Sequence, residues 1–145
     1  MLVAGLIIIQ LIQPALNRSS KILVTDITQT YIVPPKVLQV LKKSCYDCHS
    51  NNTIYPWYAS IQPVGWLLAS HIKEGKKELN FSEFGSYGLR RQKSKIKGIA
   101  NSIKDGSMPI GSYTLMHKEA LLSDFEKELL INWAMNLQDS LNTRE

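Results

Sequence analysis

The chain has 145 residues, 44% of them hydrophobic and 20% charged, and carries a formal net charge of +5. That is about one domain of sequence, apolar enough for a modest core, and it excludes both a disordered chain and a polytopic membrane protein. The positive charge gathers between Lys73 and Lys104 without any DNA- or RNA-binding motif beside it, so it reads as a solvated helix face or a steering surface, and nucleic acid is not an expected partner.

The start, "MLVAGLIIIQLIQP", is apolar over residues 2–12. As a helix this run reaches about 17 Å, against the roughly 30 Å of a bilayer core. Residues 1–13 therefore read as a signal or membrane-anchor segment. The first cations, Arg18 and Lys21, follow the run instead of preceding it, the reverse of the usual export pattern, so further residues are expected upstream. Residues 14–33 read as an extended linker, because Pro14 and "NRSSK" break the run and "ILVTDITQTYIV" is β-branched without helical period.

From Pro34 the pattern changes. Pro35 suits a first helical turn, and Val37, Val40, Leu41 and Cys45 recur at three- and four-residue steps, which predicts a helix running into the cysteines. "SNNTIYPWYASIQ" is a turn-rich, aromatic loop. A second helix resumes at Pro63 with Trp66, Leu67, Ser70 and His71 in helical spacing. The third holds Leu89, Ile96, Ile99, Ala100 and Ile103 on one side and ends at Gly106. "SMPIGSYTLMHKEALL" reads as a loop, after which Ser123 and Glu126 form a capping box opening the last helix, with Phe125, Leu129, Trp133 and Leu137 as its apolar stripe. Four helices without strand signal predict an all-α domain over residues 34–141.

The chemistry sits in "KKSCYDCHSNN", which holds the two cysteines of the chain. Cys45 and Cys48, three apart near a helix end, project to one side, and His49 follows directly. This is the spacing of c-type haem attachment, in which two thioethers hold the porphyrin and the imidazole ligates iron. A thioredoxin-like dithiol also uses C-x-x-C, but in a βαβ setting at a helix start. Zinc wants a second ligand pair, which His71 and His117 do not supply at any zinc-module spacing. A disulfide across so short a loop would contribute little.

The ligand on the other face of the iron decides what the haem does. Of the four methionines, Met1 lies in the apolar start and Met135 in the last helix. Met108 is the best placed, between the helix-ending Gly106 and a stiffening Pro109, with Met116 as its alternative. His71 reads as a core or boundary residue and His117 as exposed or bracing a loop.

"CYDCHSNNTIYPWYASIQPVGWLLASHIKEGKKELNFSEF" followed by "DGSMPIGSYTLMHKEALLSDFEKELLINWA" resembles the haem-binding-domain family of small monohaem c-type cytochromes of Bacteroidota and related bacteria. The resemblance implies a helical, cytochrome c-like domain enclosing one covalent haem c, with Cys45 and Cys48 as thioether residues, His49 as proximal and Met108 as distal iron ligand. It further implies an exported protein, on the periplasmic side and tethered at its N-terminus to the inner membrane, since haem c is attached outside the bacterial cytoplasm.

The expected function is single-electron shuttling with unidentified redox partner proteins, not enzymatic turnover. A peroxidase-like or gas-sensing haem with a labile distal ligand, and a non-haem thiol-disulfide protein, are the alternatives. A backbone carbonyl from residues 50–63 is expected to hold the far nitrogen of His49. Trp57, Tyr58 and Trp66 are the aromatic candidates for lining the haem, and the face from Arg90 to Lys97 is the candidate docking surface.

Overall fold

A computed structural model describes residues 2–19 and 21–143. Met1, the first of the four methionines weighed above, lies outside the described residues, as do Ser20, Arg144 and Glu145. The helices in chain order are α1 (Leu2–Ile9), α2 (Ile27–Thr30), α3 (Pro35–Ser44), α4 (Tyr46–His49), α5 (Val64–Glu78), α6 (Leu89–Lys104), α7 (Gly111–Met116) and α8 (Asp124–Asn142). Tighter 3₁₀ turns occupy Trp57–Ser60, Phe81–Ser86 and Lys118–Ala120. Among the described residues there is no strand, only an isolated bridge between Arg18 and Asn52. The domain is all-α, as the periodicity predicts.

The core forms where α6 and α8 pack together with α3 laid against α8. Ile96, Ala100 and Ile103 of α6 meet Leu130, Ala134 and Leu141 of α8, and Val37, Val40 and Leu41 of α3 close the cluster. Each fully buried aliphatic side chain is worth about 1.5–3 kcal/mol against exposure, which is why these stripes fix the three long helices. Phe81 and Phe84, from the 3₁₀ turn after α5, fill the remaining space. Pro35 stands at the start of α3, and Gly106, with φ of +73°, follows α6 in the left-handed conformation that glycine adopts without strain.

The capping box at α8 is complete: the Ser123 hydroxyl accepts from the Glu126 amide, and the Glu126 carboxylate accepts from the Ser123 amide. The same carboxylate pairs with Lys43 Nζ at 2.5 Å, which ties α3 to the start of α8.

Three expectations need correction. Phe125 is 68% exposed, and the buried stripe of α8 runs instead through Leu130, Trp133, Ala134 and Leu141. On α5 the buried side chains are Gly65, Leu68 and Ile72, a face rotated from the Trp66, Leu67, Ser70 and His71 positions, with Leu67 left exposed. The stretch after Met108, read as loop, contains α7, a six-residue helix with Pro109 just before it and Gly111 at its first position, where a helix tolerates them. The helix expected to run into the cysteines does so: α3 ends at Ser44 with Cys45 as its C-cap, whose ψ of −38° comes with a φ of −129°, and α4 is a separate single turn beyond it.

Among the described residues between Pro14 and Val33, α2 is flanked by irregular backbone with a turn at Val24 and Thr25, and Ile27 is fully buried in the main core. Asp26 caps that turn by accepting from the Thr28 amide, and the Thr25 carbonyl accepts from the Gly85 amide at 2.7 Å. One buried residue leaves no periodic trace, which is why the segment reads as a linker.

The apolar start forms α1, with Val3, Leu6, Ile7 and Ile8 exposed. No helix among the described residues is long and apolar enough to cross a membrane. Gln10 exchanges hydrogen bonds with the Gln62 backbone, Gln13 accepts from Gln62 Nε2 and donates to the Ser60 carbonyl, and Trp66 Nε1 donates to the Ile12 carbonyl.

Candidate haem site

The site begins at the break between α3 and α4. The His49 amide donates to the Cys45 carbonyl at 2.9 Å, closing the single turn that carries both thiols and the imidazole. The Tyr46 ring stacks on Phe81 with centroids 5.0 Å apart, and Phe81 meets the His49 ring edge-to-face, so the turn is anchored on the core by its aromatic neighbours.

α5 lies directly against this turn at Gly75. A Cβ at that position would stand 2.7 Å from the Cys48 carbonyl oxygen, so only glycine permits the approach. Because α5 comes this close, its C-terminal end reaches His49: Nδ1 lies 3.0 Å from the Leu79 carbonyl. A carbonyl is only an acceptor, so Nδ1 carries the hydrogen and the lone pair is left on Nε2. The orienting carbonyl therefore comes from residue 79 and not from residues 50–63. The last carbonyls of a helix lack partners within it, which makes the end of α5 a ready acceptor.

Two adjoining cavities of about 250 and 210 Å³ open beside the motif. Ser44, Cys45, His49, Glu78, Met108 and Pro109 line both. The larger is completed mainly by apolar groups, among them Leu79, Phe81, Ile99 and Ile103, with Lys95 also on its wall. The smaller adds Cys48, His71, Gly75, Ile110 and Tyr113.

The electrostatics of the motif follow from burial. Burial pushes the Cys45 thiol up to about 12, with Cys48 adding to it, and the Cys48 thiol up to about 11, with Asp47 adding to it. Both are thus protonated at neutral pH, the reverse of the lowered values that activate a redox dithiol. Burial also lowers the His49 pKa, against the opposing pull of its backbone hydrogen bonds, which favours a neutral imidazole with a free lone pair.

These residues suit a haem on several independent counts. The donor set of two neutral thiols and one oriented imidazole lies on a largely apolar cavity. Gly98 lines that cavity with open space where a Cβ would project, and the buried Ser44 hydroxyl on the shared wall has no protein partner. The residues that would hold the group are Cys45, Cys48 and His49 on one side and the Met108 loop facing them.

Of the other residues singled out in the sequence, Met108 lines both cavities, its amide donating to the Ser102 carbonyl at 3.1 Å. Met116 lies on neither and is 58% exposed, and Met135 is 46% exposed. Trp57, Tyr58 and Trp66 do not line the cavities. Trp57 is 78% exposed, Trp66 bonds to the N-terminal segment, and the Tyr58 hydroxyl lies 2.5 Å from His117 Nε2. An aromatic-rich loop gives no sign of which side its rings take, and here the 3₁₀ turn carries Trp57 outward. Phe81, Tyr113 and His71 line the cavities instead. The position of His71, one turn before Gly75 on α5, was the available signal for it. His117 braces its loop, with Nδ1 3.1 Å from Glu119 and its ring stacked on Tyr113.

Comparison with known proteins agrees with this geometry. A family model described as a haem-binding domain matches residues 4–136, nearly the whole chain. Neither the curated proteins nor the solved structures contain a match. With Cys45, Cys48 and His49 placed on a cavity that suits the group, the chain belongs to the haem-binding domain family.

Proposed function

We propose that this protein is a monohaem c-type cytochrome that carries single electrons on the periplasmic side of the inner membrane. The observation that carries the reading is the convergence of Cys45, Cys48 and an imidazole oriented by the Leu79 carbonyl on one apolar cavity. When bound, haem supplies a one-electron couple whose potential depends on axial ligands, hydrogen bonds and burial.

The rest falls to the chain. Cys45 and Cys48, whose thiols stay neutral on the cavity wall, would hold the haem through thioether bonds. His49 offers Nε2 as proximal ligand, with its ring held by the donation from Nδ1 to Leu79. Met108, on the wall of both cavities, would supply a sulfur ligand to the iron. Leu79, Phe81, Ile99 and Ile103 exclude water from the larger cavity and so raise the energetic weight of every charge near it. Two sites of coordination filled by protein leave none for substrate, which favours electron transfer over peroxidase-like or gas-sensing chemistry. The raised thiols weigh against a dithiol redox protein.

The redox partner docks on the basic face of α6, where Arg90 and Lys97 are exposed and Lys95 both pairs with Glu78 and reaches the cavity wall. α1 acts as the tether, held to the domain through Gln10 and Gln13. One experiment tests attachment and location together: haem staining of fractionated cells after denaturing electrophoresis, which only covalently held haem survives. A stained band in the membrane or periplasmic fraction, lost in Cys45→Ala/Cys48→Ala, is expected. A band confined to the cytosol contradicts the location, and no band contradicts the attachment.

A further inference from the structure

Asp47 stands inside the attachment motif, directly before Cys48, and the chemistry above gives it no task. It is nevertheless held from several sides. Thr53 Oγ1 donates to its carbonyl at 2.6 Å, and the Ile54 amide donates to Oδ1 at 2.9 Å. The other carboxylate oxygen, Oδ2, accepts from the Tyr113 hydroxyl at 2.7 Å. Tyr113 lies on α7, five residues after Met108, and lines the same cavity as Met108, Pro109 and Ile110. Burial and the bond to Asp47 push the Tyr113 phenol far up, so it stays a donor at physiological pH.

The other hydrogen bonds of the methionine loop are local to the end of α6. The Met108 amide donates to the Ser102 carbonyl at 3.1 Å, and the Ser107 amide to Asp105 at 2.9 Å. Neither relates the loop to the motif on the far wall. The bond from Tyr113 to Asp47 does, across 66 residues of chain, and the stacking of Tyr113 on His117 steadies the ring that makes it.

The geometry points to Asp47 and Tyr113 as positioning residues: their hydrogen bond ties the methionine loop to the attachment motif and so sets Met108 against His49 across the cavity. This rests on the reading of Met108 as distal ligand. It gives the second variable position of the motif a role of its own, coupling the two walls that would enclose the group.

The test uses the full-length, haem-loaded protein and compares Tyr113→Phe, Asp47→Asn, the double variant and Met108→Ala. Phenylalanine keeps the ring that stacks on His117 and removes only the donor; Asp47→Asn probes the same bond from the other side if either variant folds poorly. The readouts are the weak red absorption of a sulfur-to-ferric-iron bond and the rate of carbon monoxide binding to the reduced form. Covalent haem staining should be unchanged in Tyr113→Phe. The red band should weaken, and carbon monoxide binding should speed up about tenfold, the weight of one hydrogen bond. The double variant should go no further than either single one, as for two ends of one bond. If Met108→Ala removes the band while Tyr113→Phe and Asp47→Asn alter neither band nor rate, the positioning role is overturned and the ligand reading stands. If the band survives Met108→Ala, the ligand reading fails and the positioning role falls with it.

Discussion

The His49 ring is fixed by an atom that no side-chain motif can advertise, the carbonyl of Leu79 at 3.0 Å. That contact exists because Gly75 lets α5 approach the Cys48 carbonyl. Gly75→Ala is therefore expected to force α5 off the motif turn, at about 1–3 kcal/mol of stability by the usual cost of overpacking. Chemical denaturation would show this as a lower midpoint with an unchanged slope, and haem incorporation should fall with it. An unchanged midpoint would mean that the approach is relaxed without cost. At this scale the placing of Cys45, Cys48 and His49 on one cavity was legible because their spacing puts them on a single turn. Leu79 was not, being a backbone acceptor brought in from 30 residues away, and Trp57, Tyr58 and Trp66 misled because ring-rich sequence carries no direction. Met108, read from the flanking Gly106 and Pro109, does stand on the cavity wall.

The long elements were read well where burial repeats along a helix. α3 and α6 show their predicted faces almost residue for residue, since Val37, Val40 and Leu41, and Ile96, Ala100 and Ile103, are all buried. On α5 the helix was legible but its face was not: the run Trp66, Leu67, Leu68 offers apolar residues on neighbouring faces, and the buried face is the one holding Gly65, Leu68 and Ile72. α7 and α2 are too short to display a period. The capping box of α8 was legible, but its second use was not: Glu126 also receives Lys43 of α3. The hydrogen bond from Lys43, with that from the Ser123 amide, holds the Glu126 carboxyl below its ordinary range. Since its folded pKa is depressed, its contribution to stability is complete above the unfolded carboxyl value of about 4.3 and is lost as pH falls through the folded one. Thermal melts between pH 7 and pH 3 should thus show an acid-side loss that is smaller in Glu126→Gln. Equal acid sensitivity in the two proteins would remove the ion pair from the account.

Across the whole molecule, the motif turn, α5, α6 and the Met108 loop together line the two cavities. α6 therefore serves twice: its apolar face joins α8 in the core, and its charged face borders the cavity through Lys95. The basic balance of the chain, ambiguous as composition, gains meaning from that placement. The N-terminal segment, separate in the sequence reading, is fastened to the domain near Gln62 and Trp66, and Ile27 enters the core itself. The family match beginning at residue 4 accords with this continuity. The central claim is that both thiols hold a porphyrin while His49 holds its iron, and intact-mass spectrometry of protein matured in an exporting host tests it most directly. A mass increased by one haem, with no thiol left to alkylate, is the predicted result; the bare polypeptide mass with two alkylatable cysteines would contradict it.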